Sequence, residues 1–161
     1  MKQYVFWQKE NRTVLLDKIG VIAALCDQAE REREWEHCVL ALAKRTGEAV
    51  YELFDSCIVE EIGGSTGRNI SNIPQKVSLA LISLCVKQRA VPVILHTHPS
   101  GAYLGEPVTF SDKDRIFIEK FSAVAIEMGM QDPCLFLVTD GQSILLCAVS
   151  DRTQQYAREE K

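Results

Sequence analysis

The sequence has no long apolar run, no closely paired cysteines and no excess of positive charge. Its first segment, MKQYVFWQKENR, becomes charged too early for the apolar core of a signal peptide, and no later run is long enough to cross a bilayer. The formal net charge of -4 provides no general attraction for a phosphate backbone. We therefore expect a cytoplasmic protein that binds neither a membrane nor nucleic acid.

Two familiar kinds of site are also missing. The six cysteines are scattered singly, without a CxxC pair that would indicate a cysteine-rich zinc site or a redox motif. Their apolar surroundings are typical of buried thiols in a reducing compartment. The glycine-rich segment GGSTG lacks the lysine pattern of a phosphate-binding loop, so we interpret it as a surface loop.

The sequence does contain segments whose apolar residues recur at helical spacing, alternating with short apolar segments typical of strands. The elements expected from it are a strand over residues 4–9, a helix over 13–33, a hairpin over 38–43 and 49–59, a helix from Pro74 to Arg89, a strand over 90–95, a helix over 111–130 and a hairpin over 134–138 and 143–149. This order predicts one α/β domain over residues 1–150, with helices packed on a mixed sheet. The charged tail, residues 151–161, is expected to be a frayed helix or disordered.

The strand over 90–95 leads directly into His96-Thr97-His98. If the strand continues, the two imidazoles at positions i and i+2 project from the same face and can bind one ion. A lone HxH pattern is weak, because histidines of a core or a surface often have no part in metal binding. The additional signal is Asp114, which opens the next predicted helix and can turn a carboxylate towards the strand end.

Two histidines and one aspartate form the three-ligand set of a catalytic zinc site, in which the fourth position is left for water. Ser111 and Asp114 also match a helix start, with Ser111 as the N-cap and Asp114 at the third helical position. The two interpretations are compatible. The cap needs the serine backbone geometry, whereas a zinc ligand needs the aspartate carboxylate.

The ordered set HTHPSG and then FSDKD resembles the signature of the JAMM, or MPN-plus, metallopeptidases, in which a Glu precedes HxHP and SxxD. The resemblance covers residues 13–149, but only the motif positions match strongly. The segment from His98 to Ser111 is about five residues longer than the compact spacing of the family, a change that costs little stability in a surface loop.

The resemblance implies a JAB/MPN-like domain with a three-layer arrangement like that of cytidine deaminases. It implies one Zn²⁺ with a bound water, held by His96, His98 and Asp114, with Glu36 as general acid and base and Ser111 as an oxyanion stabiliser. Small bacterial members of this family act on ubiquitin-like proteins or their conjugates, some of them in antiphage systems. E1-like or E2-like proteins from the same operon are therefore expected partners.

Several glutamates compete for the role of the base. Glu36 stands where the predicted first helix gives way to the first strand of the hairpin, before a Cys-containing apolar run, as in the family. Glu60 and Glu61 end the second strand and are the alternative, and Glu34 is a weaker one. The loops with glycines beside the site are expected to border the substrate groove: Gly63, Gly64, Gly101 and Gly105.

Three functions remain open from the sequence. The first is a zinc-dependent isopeptidase or peptidase that cleaves after the C-terminal tail of a ubiquitin-like protein. The second is a DNA-associated protein similar to the bacterial RadC family, against which the acidic net charge argues. The third is a catalytically inactive MPN scaffold, which would not bind stoichiometric zinc.

Overall fold

The protein is described by a computed structural model that covers residues 1–33, 35–58, 70–98, 106–151 and 153–160. Eight strands and three α-helices lie within these ranges. The strands are β1 (Lys2–Gln8), β2 (Asn11–Asp17), β3 (Cys38–Gly47), β4 (Val50–Ile58), β5 (Val91–Thr97), β6 (Cys134–Thr139), β7 (Ile144–Val149) and β8 (Gln154–Glu159). The helices are α1 (Val21–Arg31), α2 (Gln75–Gln88) and α3 (Asp112–Glu127), and a 3₁₀ turn, Ile70–Asn72, precedes α2.

The strands close into one barrel in the order β1-β2-β4-β3-β5-β6-β7-β8, with β8 returning to β1. Two neighbouring pairs, β2 with β4 and β5 with β6, are parallel, and the other pairs are antiparallel. The expected three-layer arrangement with an open sheet is therefore wrong. Pairing of the first strand with the last removes both sheet edges that such an arrangement would have.

Two cores pack against the barrel wall. One contains side chains from all eight strands together with α1, including Phe6, Leu53, Leu95 and Ala157. The other joins α2 and α3 to the opposite face of β3, β5, β6 and β7. Because both faces are covered, β5 and β6 are buried along their whole length, which explains their unbroken apolar sequences.

The structure confirms both predicted hairpins, the strand before His96 and the two helices corresponding to α2 and α3. The helix predicted over residues 13–33 is wrong in its first part, because residues 13–17 belong to β2 and α1 begins only at Val21. Leu15, Leu16 and Ile19 share a helical spacing with the α1 residues. The antiparallel pairing of β1 with β2 overrides that local pattern.

The charged tail was expected to be a frayed helix or disordered, but residues 154–159 form β8. This strand pairs antiparallel with β7 over five residues and contacts β1 at two. Hydrogen bonds to the two neighbouring strands, β7 and β1, therefore order a segment whose charged composition does not predict a strand. No helix in the described ranges is both long and apolar enough to span a membrane.

Candidate metal centre

The end of β5 carries the first two candidate ligands. The strand VPVILHT is buried throughout, and in the sheet His96 pairs with Cys38 of β3 and Val138 of β6. His96 is fully buried and His98 nearly so. The burial of two imidazoles at the end of an apolar strand is costly unless polar groups meet them there.

The start of α3 supplies that polar group. Ser111 is the N-cap, its Oγ accepts from the Asp114 amide at 3.1 Å, and Asp114 Oδ2 accepts from the Ser111 amide at 2.9 Å. This reciprocal pair is a capping box with aspartate at its third position. The capping geometry fixes the Asp114 carboxylate, which is 1% exposed.

Three atoms converge at this point. His96 Nε2 lies 3.2 Å from His98 Nε2 and 3.1 Å from Asp114 Oδ2, and His98 Nε2 lies 2.9 Å from the same oxygen. Tetrahedral zinc with ligands at 2.0–2.1 Å separates neighbouring ligand atoms by about 3.3 Å. The triangle of two nitrogens and one oxygen thus has nearly the dimensions that one metal ion requires, and these buried groups could hold one.

The charge state of Asp114 suits the same role. Burial by itself would raise the pKa of this carboxyl, but hydrogen bonds from His96 and His98 and the Ser111 amide hold the pKa well below its ordinary value of 3.8. Asp114 is therefore an anion at neutral pH. An ionised carboxylate beside two imidazoles is a donor set that zinc accepts.

Packing also orients the imidazoles. The His96 ring lies 5.8 Å from Phe110, the residue before the cap, and forms an edge contact with His98 at 4.9 Å between centroids. His96 Nδ1 has no hydrogen-bond partner among the residues that the structure describes. The orientation of the His96 ring is therefore set by its contact with Phe110 and by the contacts of its Nε2 with His98 and Asp114.

Glu36 lies just before β3. Cys38 pairs with His96, and the Thr97 amide donates to the His37 carbonyl at 2.9 Å, so the pairing continues beyond the strand end. Continued by one further residue, the same register would put Glu36 opposite His98. Cys38 belongs to the core shared with α2 and α3, and alternation puts Glu36 on that face, the face of both ligands. Glu36 is half-buried and therefore retains access to solvent.

His37 takes no part in this group. Its Nε2 lies 2.6 Å from Glu32 Oε2, and its Nδ1 lies 3.1 Å from Nε2 of the Gln28 side chain; Gln28 is in α1 and Glu32 directly follows it. His37 therefore faces away from His96 and His98. The structure brings together the three predicted ligands and leaves the third histidine of the chain outside the group. Glu36 lies one residue before His37, just ahead of the start of β3.

The remaining predicted residues divide into two sets. Ser111 is exposed, and while its oxygen accepts from the Asp114 amide, its single hydroxyl proton remains available to a ligand. The others lie outside the described residues: Glu34, Glu60, Glu61, Gly63, Gly64, Gly101 and Gly105.

Sequence reasoning missed Thr97, the residue between the two histidines. Its hydroxyl contacts the chain on both sides of Glu36. A hydroxyl residue within a fully buried apolar strand is the signal that would have identified it, because a buried hydroxyl needs a partner.

No protein-family model and no curated protein matches the chain. The chemistry of the site therefore rests on its own geometry: three buried donors that could hold a metal ion and an exposed hydroxyl at the helix cap.

Proposed function

We propose that the protein is a zinc-dependent isopeptidase or peptidase that hydrolyses the amide bond after the C-terminal tail of a ubiquitin-like protein. The single observation that carries this proposal is the convergence of His96, His98 and Asp114 to within 3.2 Å of one another in a buried corner. A mixed nitrogen and oxygen donor set of this size favours zinc over calcium or magnesium, which prefer oxygen ligands.

Three protein donors leave one position of a tetrahedral ion for water. Zinc bound there would lower the pKa of that water towards neutrality. Glu36 would accept the proton of that water as the water oxygen attacks the scissile carbonyl carbon, and would pass the proton to the amine as the C–N bond breaks. The role is assigned to Glu36 because this residue precedes β3 directly and is half-buried. Ser111 would donate a hydrogen bond from its hydroxyl to the oxygen of the scissile carbonyl.

An open stretch of strand supports an extended substrate. Residues Val50–Glu52 of β4 pair with β2, and in the part of the chain that the structure describes no strand pairs with the outer edge of residues 53–56. β4 runs towards the metal centre, since Ile58 pairs with Val39, next to Cys38 and hence to His96. An extended tail can pair along such an edge by main-chain hydrogen bonds. The Ser56 amide is already occupied by Asp55 Oδ1 at 2.9 Å, so pairing would use the other groups of this edge.

The resemblance to JAMM enzymes supplies the remaining part of the proposal, the nature of the tail. Small residues are required at its end, because bulky side chains could not approach the buried donors. The partner is a ubiquitin-like protein or its conjugate.

The test has two arms. Elemental analysis of purified protein should give about one zinc per chain, the number that one three-donor site holds. The zinc-loaded protein is then offered a ubiquitin-like fusion or isopeptide conjugate from its own genome, beside unstructured casein. We expect cleavage of the conjugate. Rapid casein degradation with an untouched conjugate would indicate a general peptidase, and protein without stoichiometric zinc would indicate an inactive scaffold.

A further inference from the structure

Thr97 stands between the two histidine ligands, and its side chain is fully buried. Its Oγ1 accepts a hydrogen bond from the His37 amide at 2.8 Å and makes a longer one, 3.4 Å, to the Trp35 carbonyl. The Thr97 amide donates to the His37 carbonyl at 2.9 Å. One residue thus makes three hydrogen bonds to the segment before β3.

The two residues that Thr97 contacts are the immediate neighbours of Glu36 in the chain. A hydroxyl has one proton and two lone pairs, so Oγ1 can accept from one side of Glu36 and donate to the other at once. Thr97 itself is joined covalently to His96 and His98. It therefore connects the backbone at Glu36 to the backbone that carries two of the three metal donors.

We propose that Thr97 is a positioning residue, which holds the Glu36 segment at a fixed place relative to the metal centre. Its catalytic consequence rests on the proposed hydrolase function. The physical reason is that Glu36 lies before β3, and the hydrogen bonds of Thr97 to both of its chain neighbours, Trp35 and His37, join this segment to the end of β5. A displacement of about 1 Å in a catalytic group can cost about a hundredfold in rate.

The appropriate change is Thr97→Val, which keeps the shape of the side chain and removes the hydroxyl. Thr97→Ser restores a hydroxyl at the same place. Thr139→Val is the matched control, since Thr139 pairs with Thr97 across β5 and β6, is equally buried, and hydrogen-bonds the Gly141 amide and the Ser143 carbonyl instead. Thr97→Ala replaces Thr97→Val if the latter does not fold.

The first measurement is amide hydrogen exchange by NMR on the zinc-loaded protein. We expect the His37 amide to exchange about ten- to a hundredfold faster in Thr97→Val, because it loses its acceptor. Exchange at His37 should be unchanged in Thr139→Val, where the Gly141 amide becomes faster instead. Zinc content should remain that of the wild type in every variant.

The second measurement is hydrolysis of the ubiquitin-like conjugate. Thr97→Val should lower kcat by about ten- to a hundredfold with KM nearly unchanged, and Thr97→Ser should recover most of the loss. An unchanged His37 exchange rate in Thr97→Val, or an unchanged kcat with faster exchange, overturns the inference. If the wild type itself binds zinc but cleaves no conjugate, the proposed function fails, and the exchange rates alone still decide whether Thr97 fixes the segment.

Discussion

Two histidine–carboxylate groups of this protein lie on opposite sides of the paired β3 and β5 ends, and they differ in kind. At one, His37 meets Glu32 in a single pair, and the Glu32 side chain is 44% exposed. At the other, two histidines meet one oxygen of Asp114, whose side chain is 1% exposed. Pairing is common to both groups. Only the second has several donors directed at one buried point, and this convergence is why the second group could hold a metal ion.

The largest expected effect separates the two groups by metal content. His96→Ala, His98→Ala and Asp114→Ala should each lose zinc, because two remaining donors hold the ion too weakly, whereas His37→Gln should retain it. Elemental analysis measures the metal directly.

Thermal unfolding gives an independent measurement of the same comparison. Zinc at about a thousand times its Kd stabilises a protein by about 4 kcal/mol. At roughly 2–4 °C per kcal/mol this raises Tm by about 10 °C in the wild type and in His37→Gln. A folded His37→Gln protein without zinc would contradict the distinction drawn between the two groups.

The next effect concerns the two glutamates near the groups. Glu36→Ala should retain zinc and lose hydrolysis by about 10²- to 10⁴-fold, the range of a general acid or base. Glu32→Gln is the control, since Glu32 pairs with His37 and not with the metal donors. Steady-state hydrolysis at equal zinc content decides between them. A fully active Glu36→Ala protein would move the base to Glu60 or Glu61.

A smaller effect is expected at the helix cap. Ser111→Ala should bind zinc and turn over more slowly by about ten- to a thousandfold, the range for one oxyanion donor. Its free energy of unfolding should fall by about 1 kcal/mol, because the Asp114 amide loses its cap acceptor.

The variant Ser111→Asp separates the two roles of the cap. Aspartate offers an acceptor to the Asp114 amide but no proton to a substrate, so stability should recover while turnover stays low. Urea denaturation and kcat are measured on both variants. A stability loss in Ser111→Ala with unchanged turnover would leave Ser111 with the capping role alone.

The smallest effect should follow from breaking the single contact between His37 and Glu32. Glu32→Gln should change the free energy of unfolding by less than about 1 kcal/mol, because a pair with one half-exposed partner is worth little. Zinc content should not change. A loss of zinc in this variant would mean that the pair at α1 supports the metal donors through His37.

The candidate ligands could be named from the sequence because their signal is local. His96 and His98 stand two residues apart at the end of an apolar strand, and Asp114 occupies a recognisable capping position. Strand alternation and cap geometry fix where these side chains point with little help from the rest of the fold. The convergence of their atoms depends on contacts between β5 and the start of α3, and only the tertiary structure provides it.

The elements with a strong apolar period could be predicted from local sequence alone: both predicted hairpins, the buried strand β5, and helices α2 and α3. Closure of the barrel could not be predicted in this way, because it depends on pairing between distant segments. Residues 13–17 become a strand because they pair with β1, and the charged residues 154–159 become one because they pair with β7 and β1. The fold also brings Thr97 into hydrogen-bond contact with the residues flanking Glu36, some sixty positions earlier in the chain. Hydrogen bonds between distant segments produce no periodic pattern in the sequence, so they cannot be predicted from local spacing and form only in the folded chain.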